Sequence, residues 1–136
     1  MKSVEQLLVL VLVSGLCALV HGLLRGPLEW VTDGWGIALQ EARLREPVLW
    51  VDARPEDAYE AGHWPGAYRL GLDDWSGGLG RMLPDWDPES TIVVYCDGEE
   101  CQSSRKVAAR LRAELESETV FWLVGGWESL KEEVEE

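Results

Sequence analysis

Basic charge is in short supply in this chain. Its 136 residues include 12 lysines and arginines against 25 aspartates and glutamates, a formal net charge of −13. Nucleic acid and an anionic membrane surface both demand a basic patch, so the composition argues against either as a partner. Histidine and cysteine are also few, at two and three. Two neighbouring cysteines and one distant His fall short of a tetrahedral ligand set, so neither a metal nor a cofactor is expected. No internal repeat and no low-complexity segment is visible, and the length leaves room for one domain.

Tryptophan, by contrast, is plentiful: eight residues, each able to bury a large area in a small core. Trp30, Trp50, Trp122 and Trp127 fall at core or core-edge positions. Trp35, Trp64, Trp75 and Trp86 fall in turn- or loop-rich sequence, where all but Trp64 are expected to cap the core. The acidic residues from Glu128 to Glu136 read as a solvated helix face with a frayed end.

Leu7 to Leu24 is a run of 18 residues without formal charge, near the minimum for crossing a bilayer. Three readings stay open: an uncleaved transmembrane anchor, a signal peptide, against which stands the lack of an A-x-A cleavage site, or a buried helix of a soluble protein. Residues 1–25 are therefore set apart as anchor or signal segment and 26–136 as the folded domain. With an anchor, residues 7–24 contact the membrane, Cys17 faces lipid, and the domain is expected on the periplasmic or extracellular side rather than in the cytoplasm. With cleavage it is secreted. Outside the cytoplasm disulfides persist, and the C-x₄-C spacing of Cys96 and Cys101 becomes a possible redox pair.

Along the domain, helical and continuous apolar patterns alternate. Leu28 to Val31 reads as an edge strand, and Trp35, Ala38, Leu39 and Ala42 are spaced as in a helix over 35–44. Val48 to Ala53 reads as a strand, Glu56 to Ala61 as a short helix ended by Gly62, and His63 to Gly66 as a tight turn. Ala67 to Leu70 reads as a short strand. Leu72 to Leu83 is expected to be a broken helix because of its glycines, with a loop over 84–88. Thr119 to Val124 closes the set of strands, and a terminal helix starts near Trp127. The alternation implies an α/β sandwich with four or five mostly parallel strands.

The segment from Thr91 to Leu111 carries chemistry. Thr91 to Tyr95 is continuously apolar, as in a buried parallel strand, and Cys96 ends it. Val107, Ala108, Leu111 and Leu115 then mark a helix with Ser103 or Ser104 as N-cap. Cys96 thus opens a strand-to-helix loop, where helix amides attract anions and stabilise a thiolate. A buried structural cysteine is the competing reading.

Three segments together resemble the rhodanese-like domain family: VLWVDARPEDAYEAGHWPGAYRL from Val48, IVVYC with the helix after it, and VFWLVGGWESL from Val120. The resemblance implies a three-layer sandwich and a sulfurtransferase site, in which a thiolate carries sulfane sulfur as a persulfide. Cys96 then matches the nucleophile, and the backbone amides of Asp97, Gly98, Glu99, Glu100, Cys101 and Gln102 would cradle the substrate. Asp52 and Arg54 match a signature strand and are expected to form a charge-assisted pair holding neighbouring loops. His63 is expected to stabilise its turn, and Trp64 to wall the pocket.

Two departures from the family pattern shape the expected chemistry. Ser103 stands where an Arg is usual, and Asp97, Glu99 and Glu100 would raise a thiol's pKa and repel thiosulfate. Arg105 would offset this in part if its side chain folded back. Cys101, near the helix N-terminus, would resolve the Cys96 persulfide as a disulfide, be the reactive thiol itself, or be a plain packing cysteine. The expected partners are a small sulfur donor or thiol acceptor, including a thiol-bearing protein. The reading from another class is a catalytically idle rhodanese-fold binding module. A phosphatase on the same fold would want an Arg five or so residues beyond Cys96, and position 102 is Gln.

Overall fold

Continuous apolarity places Thr91–Tyr95 at the centre of the architecture. These residues form a strand, β4, in which all five are buried. The computed structural model describes residues 34–98 and 101–134. Around β4 it assembles β1 (Gly36–Ile37), β2 (Val48–Asp52), β3 (Tyr68–Arg69) and β5 (Val120–Leu123). The order is β1-β5-β4-β2-β3, and every pairing is parallel. Strands buried on both faces carry apolar residues at successive positions, which is why β2 and β4 do not alternate.

The helices are α1 (Leu39–Arg43), α2 (Glu56–Ala61), α3 (Trp75–Met82), α4 (Ser103–Leu115) and α5 (Gly126–Val134), with a 3₁₀ turn at Leu83–Asp85. One face of the sheet packs Val51, Ile92, Val94 and Cys96 against Trp75, Met82, Val107, Ala108 and Leu111 of α3 and α4. The other packs Val93 and Tyr95 against Ala42 of α1 and Leu130 of α5. The period of two along β4 continues through Cys96, so its side chain turns to the α3–α4 face.

Three expectations are corrected. The helix read over 35–44 is two elements, because Trp35 and Ile37 accept backbone hydrogen bonds from Trp122 and Val124, both at 3.0 Å, before α1 starts at Leu39. The broken helix over 72–83 is an unbroken α3 instead. There Gly78 lies against β3, where a Cβ would come within 2.9 Å of the Arg69 carbonyl, so the glycine serves close packing rather than a break. Trp75, read as lying in turn-rich sequence, is a buried member of that helix. The edge strand at 28–31, Trp30, Cys17 and the apolar segment 7–24 lie outside the described residues. Among the described residues, no helix is long and apolar enough to cross a membrane.

Candidate functional site

The carboxyl end of β4 delivers Cys96 to a junction with the N-termini of α4 and α5. Cys96 is 1% exposed. The N-terminus of α5 docks on the loop after it: the Trp127 amide donates to the Cys96 carbonyl at 2.6 Å and the Glu128 amide to the Asp97 carbonyl at 3.4 Å. Gly126 makes this approach possible. Its φ of +55° lies in the left-handed region, and a Cβ there would collide with the Cys96 carbonyl. The Gly-Gly after an apolar strand was the sequence signal for this contact.

Cys96 is disulfide-bonded to Cys101, with Cα atoms 6.2 Å apart, a separation ordinary for such a bridge. The Cys101 amide donates to the Gly98 carbonyl at 3.1 Å, so one of the amides expected to cradle a substrate is engaged inside the loop. Glu99 and Glu100 lie outside the described residues. Asp97 is exposed, and its carboxylate stands 3.9 Å from the Arg54 guanidinium.

Neither serine caps α4. The N-cap is Gln102, without a side-chain cap bond, while the Lys106 amide donates to the Gln102 carbonyl at 3.1 Å. Ser104 is instead 2% exposed, and its Oγ lies 3.3 Å from Cys96 Sγ. The interior side of the first helical turn is what turns this hydroxyl inward; sequence reading considered it only as a cap. The Arg105 guanidinium sits over the Trp122 ring, 4.1 Å from the centroid.

Asp52 and Arg54 form the pair expected of them. The Asp52 carboxylate accepts from Arg54 Nη2 at 2.7 Å and from Nε at 3.0 and 3.1 Å, and from the Arg54 amide at 2.9 Å. Arg54 Nη2 also donates to the Gly62 carbonyl at 2.7 Å, and the guanidinium lies over the Trp127 ring at 4.4 Å. Burial opposes its charge, but the hydrogen bond and attraction of Asp52 outweigh burial and raise its pKa. Beside it, burial pushes the Tyr95 phenol well above its ordinary range, with Asp52 adding to the shift. Tyr95 therefore stays neutral, and its oxygen accepts the Trp64 amide at 3.0 Å.

His63 stacks on Tyr59 with ring centroids 3.8 Å apart, and its Nδ1 stands 2.9 Å from the Tyr59 carbonyl. Trp64, expected to wall the pocket, packs on Trp50 at 5.3 Å between centroids. A cavity of about 470 Å³ between α2 and α5 is lined instead by Arg54, Ala58, Ala61, Gly62, Trp127, Lys131 and Val134. Among the described residues no cluster of His, Cys, Asp and Glu is arranged to hold a metal ion.

Known proteins are similar to this chain in sequence and fold. A family model described as a rhodanese-like domain matches residues 38–133. An HTH-type transcriptional regulator of Mycobacterium tuberculosis is 39% identical over 54 residues, which cover 40% of this chain and 22% of that protein. The crystal structure of the BH2092 protein from Bacillus halodurans superimposes with a TM-score of 0.59 at 25% identity, over 74% of this chain and 73% of that one. The N-terminal domain of a putative ATP/GTP binding protein from Clostridium difficile 630 shares the fold, with a TM-score of 0.53 at 22% identity over 74% of this chain and 98% of that one. With the family model spanning most of its length and a five-stranded parallel sheet whose central strand leads into Cys96, the chain belongs to the rhodanese-like domain family.

Proposed function

We propose that the protein is a sulfurtransferase of the thiol and persulfide exchange type, with Cys96 as sulfur carrier and Cys101 as resolving thiol. The observation that carries this reading is the bridge between Cys96, at the end of the central strand, and Cys101 on the loop that follows. In the reduced protein the Cys96 thiolate attacks the outer sulfur of a donor persulfide, forming Cys96–S–SH and releasing the donor thiolate. The Cys101 thiolate then attacks Cys96 Sγ, the bond to the outer sulfur breaks, and hydrosulfide leaves as the disulfide closes. An external thiol reduces the bridge and resets the site. The donor or acceptor is a small thiol or persulfide, or a thiol-bearing protein.

The exposed Asp97 carboxylate favours such partners over thiosulfate, even with Arg54 nearby. A bridge of this kind also suits a compartment where disulfides persist, in accord with a domain held outside the cytoplasm by residues 7–24 or secreted after their removal. The idle binding module draws support from one fact, the near-complete burial of Cys96. Mass spectrometry of the reduced full chain, exposed to cysteine persulfide, separates the two. One added sulfur atom on Cys96 of a Cys101→Ser variant, absent from Cys96→Ser, is the expected result. No adduct on either cysteine overturns the enzyme reading.

A further inference from the structure

The two sulfurs of the bridge have unequal surroundings. Cys96 is 1% exposed and belongs to the apolar cluster with Val94, Val107 and Ala108. Cys101 is partly exposed, on the loop. Displacement at a disulfide requires the incoming thiolate to reach one sulfur while the other leaves with the bonding electrons, and the leaving side is favoured by whatever stabilises its thiolate. In the bridged state packing closes the approach to Cys96. The hydroxyl of Ser104, 2% exposed and 3.3 Å from that sulfur, is placed to donate to it.

We infer that exchange at this bridge has a built-in direction: an incoming thiolate attacks Cys101 Sγ, Cys96 leaves as the thiolate, and Ser104 donates its hydroxyl hydrogen to the charge that arrives. This rests on the proposed reading of the two cysteines as an exchange pair, and it makes Ser104 a further catalytic residue. The step balances with the thiol as its only reactant. A bond forms between the incoming sulfur and Cys101, and the Cys96–Cys101 bond breaks with its electron pair on Cys96 Sγ. Cys101 is left in a mixed disulfide, from which Cys96 can displace the thiol again.

Other groups around the sulfur act in both directions. The amide groups at the start of α4 favour a thiolate. The apolar packing of Val94, Val107 and Ala108 opposes it by desolvation, as do the Cys101 carbonyl, 3.3 Å from the sulfur, and Asp97, whose carboxylate is countered by Arg54 at 3.9 Å. Arg105 of α4 lies over Trp122 on β5, and α5 reaches the Cys96 carbonyl through the Trp127 amide. Glu99 and Glu100 belong to the same loop. Against this background the buried Ser104 hydroxyl stands 3.3 Å from the sulfur itself, within reach to donate once that sulfur is a thiolate.

The test uses the oxidised full chain carrying Cys17→Ser, mixed briefly with reduced glutathione and quenched with N-ethylmaleimide. No Lys or Arg lies between Arg81 and Arg105, so both cysteines share one tryptic peptide and tandem fragmentation assigns each adduct. Glutathione on Cys101 with maleimide on Cys96 is expected; glutathione on Cys96, or an even split, overturns the direction. In the Cys17→Ser, Cys101→Ser chain, the ultraviolet absorbance of the Cys96 thiolate is then followed against pH. Ser104→Ala raises the midpoint by about one pH unit or more, and Ser104→Thr restores it; an unmoved midpoint removes Ser104 from the mechanism. Neither arm involves a sulfane donor. A chain that exchanges in this direction but never accepts sulfur defeats the proposed function alone, and a persulfide carrier that exchanges in reverse defeats this inference alone.

Discussion

The loops that leave β2 and β4 stand at the carboxyl ends of neighbouring strands, yet opposite means hold them. The β2 loop is tied by charge: Asp52, fully buried, grips Arg54, which reaches on to the Gly62 carbonyl. The β4 loop is tied by backbone contacts from α5 and by one covalent bridge. A guanidinium keeps its charge at any ordinary pH and has no redox chemistry, so the first tie is permanent. A disulfide opens when a thiol attacks it, so the second is conditional. The fold thus sets a fixed wall beside a site able to change state.

The most damaging way to break this contrast is to cut the permanent tie. Arg54→Leu leaves the Asp52 carboxylate buried without its partner, and we expect a loss of about 3 to 5 kcal/mol in urea unfolding. A chain with both Asp52→Leu and Arg54→Leu should recover part of that loss, because no lone charge remains buried. A single-variant cost near that of a surface pair would show that the two loops are not held so differently.

Second in size is Gly126→Ala. The added methyl meets the Cys96 carbonyl at a positive φ, so α5 must withdraw or the loop must shift. A cost of about 2 to 4 kcal/mol follows from strain plus overpacking. Gly125→Ala, whose Cβ would meet only the Ser129 side chain near 3.2 Å, shares the positive φ and should cost less. Equal costs would mean that backbone conformation, not the contact with Cys96, sets the need for glycine.

The third prediction concerns the conditional tie. The bridge closes a short loop, so reducing it should lower stability by about 2 kcal/mol, read from urea midpoints with and without reductant. Hydrogen exchange should quicken in the loop after β4 and stay slow at Ala53 to Gly62. Equal quickening in both loops would remove the distinction between a permanent and a conditional tie.

Which parts of this design were legible in the sequence follows from what fixes each. The continuous runs at Val48–Asp52 and Thr91–Tyr95 announce buried parallel strands, because apolar residues on both faces leave little alternative. The Asp52–Arg54 pair was readable from the signature around it. Trp35 to Ile37 was not, since two residues gain their extended form from pairing with β5, a partner more than 80 residues away. The glycines of α3 look like helix breakers until the close approach of β3 is known. Ser104 reads as a cap because caps are local, whereas its inward turn depends on where β4 leaves the sulfur.

The smallest effect sharpens the comparison from its outer edge. Arg69 is as buried as Arg54, but its carboxylate partner Asp73 is 69% exposed, bound at 2.7 Å. The hydrogen bond from Arg69 holds the Asp73 pKa below its ordinary value. A depressed carboxylate pKa adds stability above the unfolded pKa, and that stability is lost as pH falls through the folded value. Solvent screening limits the gain, so Asp73→Asn should cost less than about 1 kcal/mol near neutral pH. Unfolding curves of the wild type and Asp73→Asn should therefore converge as pH falls through and below the ordinary carboxylate range, whereas the Arg54→Leu deficit should still be large where that convergence begins. A gap for Asp73→Asn that stayed constant through that range would assign its effect to packing, and exposure of the carboxylate would no longer explain why one buried arginine is a structural tie and the other a surface tether.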